Sequence, residues 1–148
     1  MPADMRTWIA QLEEAGELVR VHRPVDPRTE MGALLYQSRE KALLFENLVG
    51  YPGWRSLGMA PANLRHAALA YGTTLQRLTP TAAERSQRRI PTQRVASGPV
   101  KEVVWKGTEA DVTRLPVHVN GSEEPPYIAS GLVVCRDPAT GKRNVAFH

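Results

Sequence analysis

The sequence has one cysteine, Cys135, in 148 residues, so an internal disulfide framework is excluded. Its place in the apolar run from Leu132 to Cys135 predicts a buried, inert thiol rather than a nucleophile. No apolar stretch approaches the ~20 residues that a membrane-spanning helix needs, and the N-terminus lacks the apolar centre of a secretory signal. The expectation is a cytoplasmic protein with no membrane partner. Also missing are a Gly-x-Ser-x-Gly elbow, a glycine-rich phosphate loop leading to a lysine, and a Cys-x-x-Cys pair. His22, His66, His118 and His148 show no metal-ligand spacing, and Glu123-Glu124 is a carboxylate pair only along the chain.

What is present is ordinary for a globular protein: 42% hydrophobic and 23% charged residues. The formal charge of +4 permits attraction to anions but accompanies no nucleic-acid motif, so no nucleic-acid partner is expected. Arg85, Arg88, Arg89 and Arg94 cluster after a helical segment. With no interleaved aromatics, they read as a solvated helix end complementing the helix dipole rather than an anion-binding module.

Asp4 caps a predicted helix from about Met5 to Ala15, with Trp8, Ile9 and Leu12 at helical spacing and Gly16 as its stop. Leu18 to His22 alternates as a half-exposed strand, which puts His22 on the solvent side. Asp26-Pro27 predicts a second helix start, reaching about Arg39. Ala42 to Leu48 is a buried strand by its nearly continuous apolar content, and Trp54 to Met59 is the strand returning after a Gly/Pro turn. A third helix opens at Pro61-Ala62-Asn63, with Leu64, Ala67, Ala68 and Tyr71 on its apolar face, His66 on its flank and Gly72 at its end. Thr74 to Arg89 is a fourth helical segment, with Thr81 and Glu84 as a capping box.

Ile90 to Gly98 is a connector, after which the chain turns β-rich. Val100 to Lys106 reads as a strand, Val117 to Pro126 as a loop, and the two apolar runs around Asp137-Pro138-Ala139-Thr140-Gly141 as a hairpin. The fold class is therefore α/β (α+β), with a small α/β domain over residues 1–98 leading into a β-rich domain over 99–148.

Several stretches in order resemble the UbiD family of prenylated-FMN-dependent decarboxylases. They are Met5-Arg6-Thr7-Trp8, Gly16-Glu17-Leu18, Pro24-Val25-Asp26-Pro27, Leu44-Phe45-Glu46-Asn47 with Gly50-Tyr51, and Asp111-Val112-Thr113-Arg114-Leu115-Pro116. The last are Pro126-Tyr127-Ile128, Gly131, Asp137-Pro138, Thr140-Gly141 and Arg143-Asn144-Val145. The resemblance implies that residues 99–148 begin a flavin-binding split β-barrel. It implies that Asn144 ligates Mn²⁺ or Mg²⁺ bridging to the cofactor phosphate, and that Val145 lends its carbonyl to K⁺.

By the same resemblance Phe147, His148 and Ala129, where the family often has threonine, line prenylated FMN. A catalytic arginine is expected one position after His148, and the remaining ligands and carboxylates further on, so no catalytic residue is expected in this stretch and these 148 residues alone are expected to be inactive. The implied partners are a small carboxylic acid substrate, a flavin prenyltransferase that supplies the cofactor, and further copies in a homodimer or larger homo-oligomer. The activity implied is non-oxidative decarboxylation of an aromatic, heteroaromatic or α,β-unsaturated acid. The alternative is a non-catalytic subunit that pairs with a separate chain carrying the rest of the site.

Overall fold

A computed structural model of the chain describes residues 2–88, 90, 91, 93–121, 125–128 and 130–147, with Phe147 as backbone only. The element order is α1 (Met5–Glu14), β1 (Leu18–Val21), α2 (Met31–Gln37), β2 (Ala42–Phe45), β3 (Ser56–Gly58), α3 (Leu64–Tyr71), α4 (Leu75–Ser86), then β4 (Leu132–Arg136) and β5 (Arg143–Phe147). Three short 3-10 turns, at Pro99–Lys101, Gly107–Glu109 and Val112–Arg114, lie between α4 and β4. This is an α+β arrangement with a three-stranded sheet, β1-β2-β3, and a two-stranded one, β4-β5, neither closed into a barrel among the described residues.

Local chemistry starts the helices. The Asp4 carboxylate accepts the Thr7 N–H at 2.8 Å while the Thr7 hydroxyl accepts the Asp4 N–H at 3.0 Å, a reciprocal cap that satisfies donors the first helical turn leaves open. The Asn63 side chain accepts the N–H groups of Arg65 and His66, and Gly72 closes α3 in the left-handed conformation at φ 59°. Asp26-Pro27 starts a turn rather than the helix itself. The Asp26 side chain accepts the Arg28 N–H at 2.7 Å, and its carbonyl accepts the N–H groups of Glu30 and Met31, so α2 begins five residues later than Asp26. That helix stops at Gln37, short of Arg39, because Ser38 leaves helical geometry and its hydroxyl donates to the Lys41 carbonyl at 2.8 Å.

β2 is the centre of the larger sheet. It runs parallel to β1, with Leu18 opposite Ala42 and Val21 opposite Phe45, and antiparallel to β3, with Leu43 opposite Gly58. All four of its residues are buried, as expected of a strand covered on both faces. Leu43 and Phe45 join Val25, Met31, Leu35 and Leu48 in one core cluster under α2. Ala42, from the other side of the pleat, joins Trp8 and Leu12 of α1, with Leu69 and Ala70 of α3 packed against them.

Three further expectations fail here. Val100 to Lys106 forms a 3-10 turn and irregular chain, not a strand; Val100, Val103 and Val104 are exposed, and β-branched content makes a strand only where another strand pairs with it. Thr81 lies inside α4 and shares a hydrogen bond with the Thr73 hydroxyl at 3.2 Å, while Thr74 takes the cap position without a side-chain bond. The inward face of α3 is turned from the predicted one, leaving Leu64 69% exposed and His66 fully buried.

These placements set opposite outcomes for two truncations to alanine. Phe45→Ala, at the centre of the larger cluster, is expected to lower stability by roughly 3–5 kcal/mol. Leu64→Ala, which removes an exposed side chain, is expected to change it by less than about 0.5 kcal/mol. Urea unfolding followed by circular dichroism measures both, and equal losses would contradict the helix phase described.

Candidate functional site on the terminal hairpin

The hairpin is made by its turn. The Asp137 carboxylate accepts the Ala139 N–H at 2.8 Å and the Thr140 hydroxyl at 2.6 Å. The Gly141 N–H donates to the Asp137 carbonyl at 2.8 Å, and Gly141 sits at φ 69°, where a side chain is disfavoured. The Asp137 N–H donates to the Lys142 carbonyl at 2.9 Å, closing the ladder. The Thr140 hydroxyl, and after it the Ala139 N–H, hold the Asp137 carboxyl below the ordinary aspartate range, because both stabilise the charged form.

That turn fixes the register of β5. Arg136 lies opposite Arg143, Cys135 opposite Asn144 and Val134 opposite Val145. Neighbours on a strand point to opposite faces, so Asn144 and Val145 do not share a face, and Asn144 shares one with Cys135 instead. Asn144 and Val145 are both exposed. Cys135 is exposed too, which corrects the expectation of a buried thiol: its apolar run has no second layer packed against it among the described residues. Ala129, His148 and the Phe147 side chain lie outside the described residues.

The donor chemistry at Asn144 fits a hard divalent cation, since an amide oxygen is a ligand type that Mg²⁺ and Mn²⁺ accept. It fits as one ligand only. Among the described residues no three His, Cys, Asp or Glu side chains come together as a metal-binding group. A cavity of about 1320 Å³, lined by α2, β3, His118–Gly121 and Ser130, takes in neither Asn144 nor Val145.

The three histidines among the described residues have separate settings. His22 is exposed as expected and pairs with Glu46 at 2.7 Å. His118 lies 2.9 Å from the Asn120 amide oxygen. His66, expected on a helix flank, is instead enclosed between α1 and α3. Its Nδ1 accepts the Ala62 N–H at 3.1 Å, which leaves Nε2 to carry the proton toward Glu17 Oε2 at 3.2 Å, with the Trp8 ring edge-on at 6.4 Å. The signal for this burial was the stripe His66, Leu69, Ala70 at helical spacing, which a search for apolar residues alone passes over.

The depressed Asp137 carboxyl has a definite sign. Its folded value is below the unfolded one, so its contribution to the hairpin is present above the unfolded value and is lost as pH falls through the folded one. Thr140→Val removes the leading cause and is expected to move the Asp137 carboxyl back up toward the ordinary aspartate range. A side-chain carboxyl NMR titration of both proteins reads this directly, and an unmoved titration would remove Thr140 from the account.

Comparison with known proteins places the whole chain. Residues 9–85 match the family model described as the 3-octaprenyl-4-hydroxybenzoate carboxy-lyase N-terminal domain, and residues 92–148 match the Rift-related domain of the same carboxy-lyase. The UbiD-class enzyme HmfF from Pelotomaculum thermopropionicum, solved in complex with FMN, is 30% identical at a TM-score of 0.88, over 97% of this chain and 33% of that one. An evolved dimeric form of HmfF in complex with prFMN is 32% identical at 0.86, over 97% of this chain and 34% of that one. The apo 3,4-dihydroxybenzoic acid decarboxylase AroY of Klebsiella pneumoniae is 25% identical at 0.89, over 98% and 34%. The chain thus spans about a third of the length of the solved structures it matches. With both family models matched in order along it, the chain belongs to the UbiD family of carboxy-lyases.

Proposed function

We propose that the protein carrying this chain catalyses reversible, non-oxidative decarboxylation of an aromatic, heteroaromatic or α,β-unsaturated carboxylic acid with prenylated FMN. The observation that carries this reading is the ordered match of both carboxy-lyase family models, with 30–32% identity to HmfF, whose structures hold FMN and prFMN. Residues 1–98 would form the N-terminal α/β domain and residues 99–148 the opening of the flavin-binding domain. Prenylated FMN, when bound, supplies the electron sink for loss of CO₂.

In this reading Asn144 offers its amide oxygen to Mn²⁺ or Mg²⁺, Val145 its carbonyl to K⁺, and Phe147, His148 and Ala129 line the flavin. The contribution of β5 is to hold Asn144, Val145 and Phe147 in order on one strand. Among the described residues no three His, Cys, Asp or Glu side chains form a metal-binding group, and in this reading these 148 residues alone are expected to be inactive. The proposed setting is a cytoplasmic homodimer or larger homo-oligomer supplied with cofactor by a flavin prenyltransferase. One feature favours the alternative of a chain completed by a separate subunit: β4 and β5 pair only with each other among the described residues, which leaves an outer edge on each strand.

Both readings are separable on the longest natural protein that contains this chain, produced together with a flavin prenyltransferase. CO₂ release from a panel of aromatic, heteroaromatic and α,β-unsaturated acids is the expected positive result. Asn144→Ala is expected to reduce Mn²⁺ affinity by about 10–100-fold and turnover with it. No release from any acid, or full turnover by Asn144→Ala, would falsify the catalytic reading. Activity that appears only after a second polypeptide is added would favour the split-subunit one.

A further inference from the structure

Gly32 lies inside α2, where glycine is the poorest helix former after proline. It is not among the glycines at positive φ, so no backbone dihedral at this position requires it. The reason for its presence is space. A Cβ on Gly32 would collide with the Val119 carbonyl oxygen and stand 3.2 Å from the Asn120 Cα and 3.4 Å from the Asn120 carbonyl oxygen. All three are main-chain atoms, so no change of rotamer could make room for a side chain. At Gly58, by contrast, the obstructing atoms belong to the Leu35 side chain.

The chain that reaches Gly32 arrives after a long exposed run. From Gln87 to Arg114 the described residues are exposed except Gly98 and Trp105, and then every residue from Leu115 to Val119 is half-buried. This stretch meets the N-terminal core at two points. The Val119 N–H donates to the Pro27 carbonyl at 3.1 Å just ahead of α2, and the Val119-Asn120 backbone lies over Gly32. A bond of 2.9 Å between His118 Nε2 and the Asn120 amide oxygen braces the bend between those points. The same residues, His118 to Gly121, form one wall of the cavity beside α2.

The two sides of this contact are held unequally. α2 is fixed from beneath by Met31 and Leu35, both buried in the larger core cluster, whereas the Leu115–Asn120 stretch has a single backbone bond to the core among the described residues. Few buried contacts and one bond make it the side that opens first. We propose that Leu115–Asn120 is a releasable strap, fastened by its backbone into a notch that only a glycine at position 32 leaves open. Fastened, it closes one wall of the cavity and tethers the exposed chain that leads to β4. Released, it opens that wall and frees the tether. The device uses neither flavin nor metal, so its test is independent of the proposed decarboxylation.

The test is amide hydrogen exchange, resolved by ¹⁵N NMR, on this chain and three variants. Gly32→Ala fills the notch, and Val119→Pro removes the donor to Pro27 without filling it. Gly98→Ala is the control, because its Cβ would meet nothing within 4 Å and its φ of 178° is ordinary extended backbone. Gly32→Ala is expected to speed exchange at the Val119 amide by about tenfold while the α2 amides exchange no faster, since alanine is the better helix former. Val119→Pro is expected to shift the Gly32 amide resonance and leave exchange in β2 unchanged. Gly98→Ala is expected to change neither. A Val119 amide that exchanges at the unprotected rate in the unaltered chain would overturn the proposal. So would unchanged Val119 exchange in Gly32→Ala, an equal acceleration in Gly98→Ala, or acceleration that extends to the β2 amides, which would mark a core defect instead of a released strap.

Discussion

The structure depends on burying one four-residue strand on both faces. β2 can be apolar at every position only if helices cover it above and below, and the chain supplies α2 on one side and α1 with α3 on the other. Each fully buried large apolar side chain contributes on the order of 1.5–3 kcal/mol, so Leu44 and Phe45 alone carry a substantial share of a small domain's margin. The parallel pairing with β1 then obliges the chain to cross over between the two strands, and α2 is that crossover. The antiparallel pairing with β3 places Gly58 opposite Leu43, where Leu35 from the crossover already fills the space a side chain would need.

A polar pair sits at the junction of the other layer. His66 is wholly enclosed, yet each ring nitrogen has a partner, one from the Ala62 backbone and one from Glu17. Satisfied in this way, a buried imidazole ties the start of α3 to the loop after α1 with directional bonds that an apolar residue could not make. The same bond to Ala62 fixes the turn that follows Met59. The geometry of the α2 cavity wall is thus linked, through a few residues, to the packing of α1 against α3.

What the sequence made legible was what local chemistry decides. Asp4, Asn63 and Gly72 mark helix ends through bonds and dihedrals made within a few residues, and the apolar run at Ala42 needs no further context to be read as a buried strand. Val100 to Lys106 has equally good strand composition but no partner strand among the described residues, so composition misleads there. The burial of His66 and the exposure of Cys135 likewise depend on which face meets another layer. Asn144 is a harder case: one amide on a short strand carries no spacing or charge pattern, and only the surrounding Asp-Pro, Thr-Gly and Arg-Asn-Val resemblance singled it out. The structure adds its cross-strand neighbour, Cys135, which no reading of the linear sequence near Asn144 supplies.

The two halves of the chain are held by different forces, and this bears on how Asn144 is positioned. Residues up to α4 surround a core, whereas every residue of β4 is exposed and, among the described residues, the hairpin has only its own ladder and turn. A two-stranded hairpin in water is marginal at best, and among the described residues no second layer packs on this one to select its register. Selection falls to the Asp137, Thr140 and Gly141 bonds at the turn. A slip of one residue there would move Asn144 to the opposite face of the sheet, because strand side chains alternate with a period of two. An exposed turn aspartate therefore decides which side of the strand presents the amide oxygen.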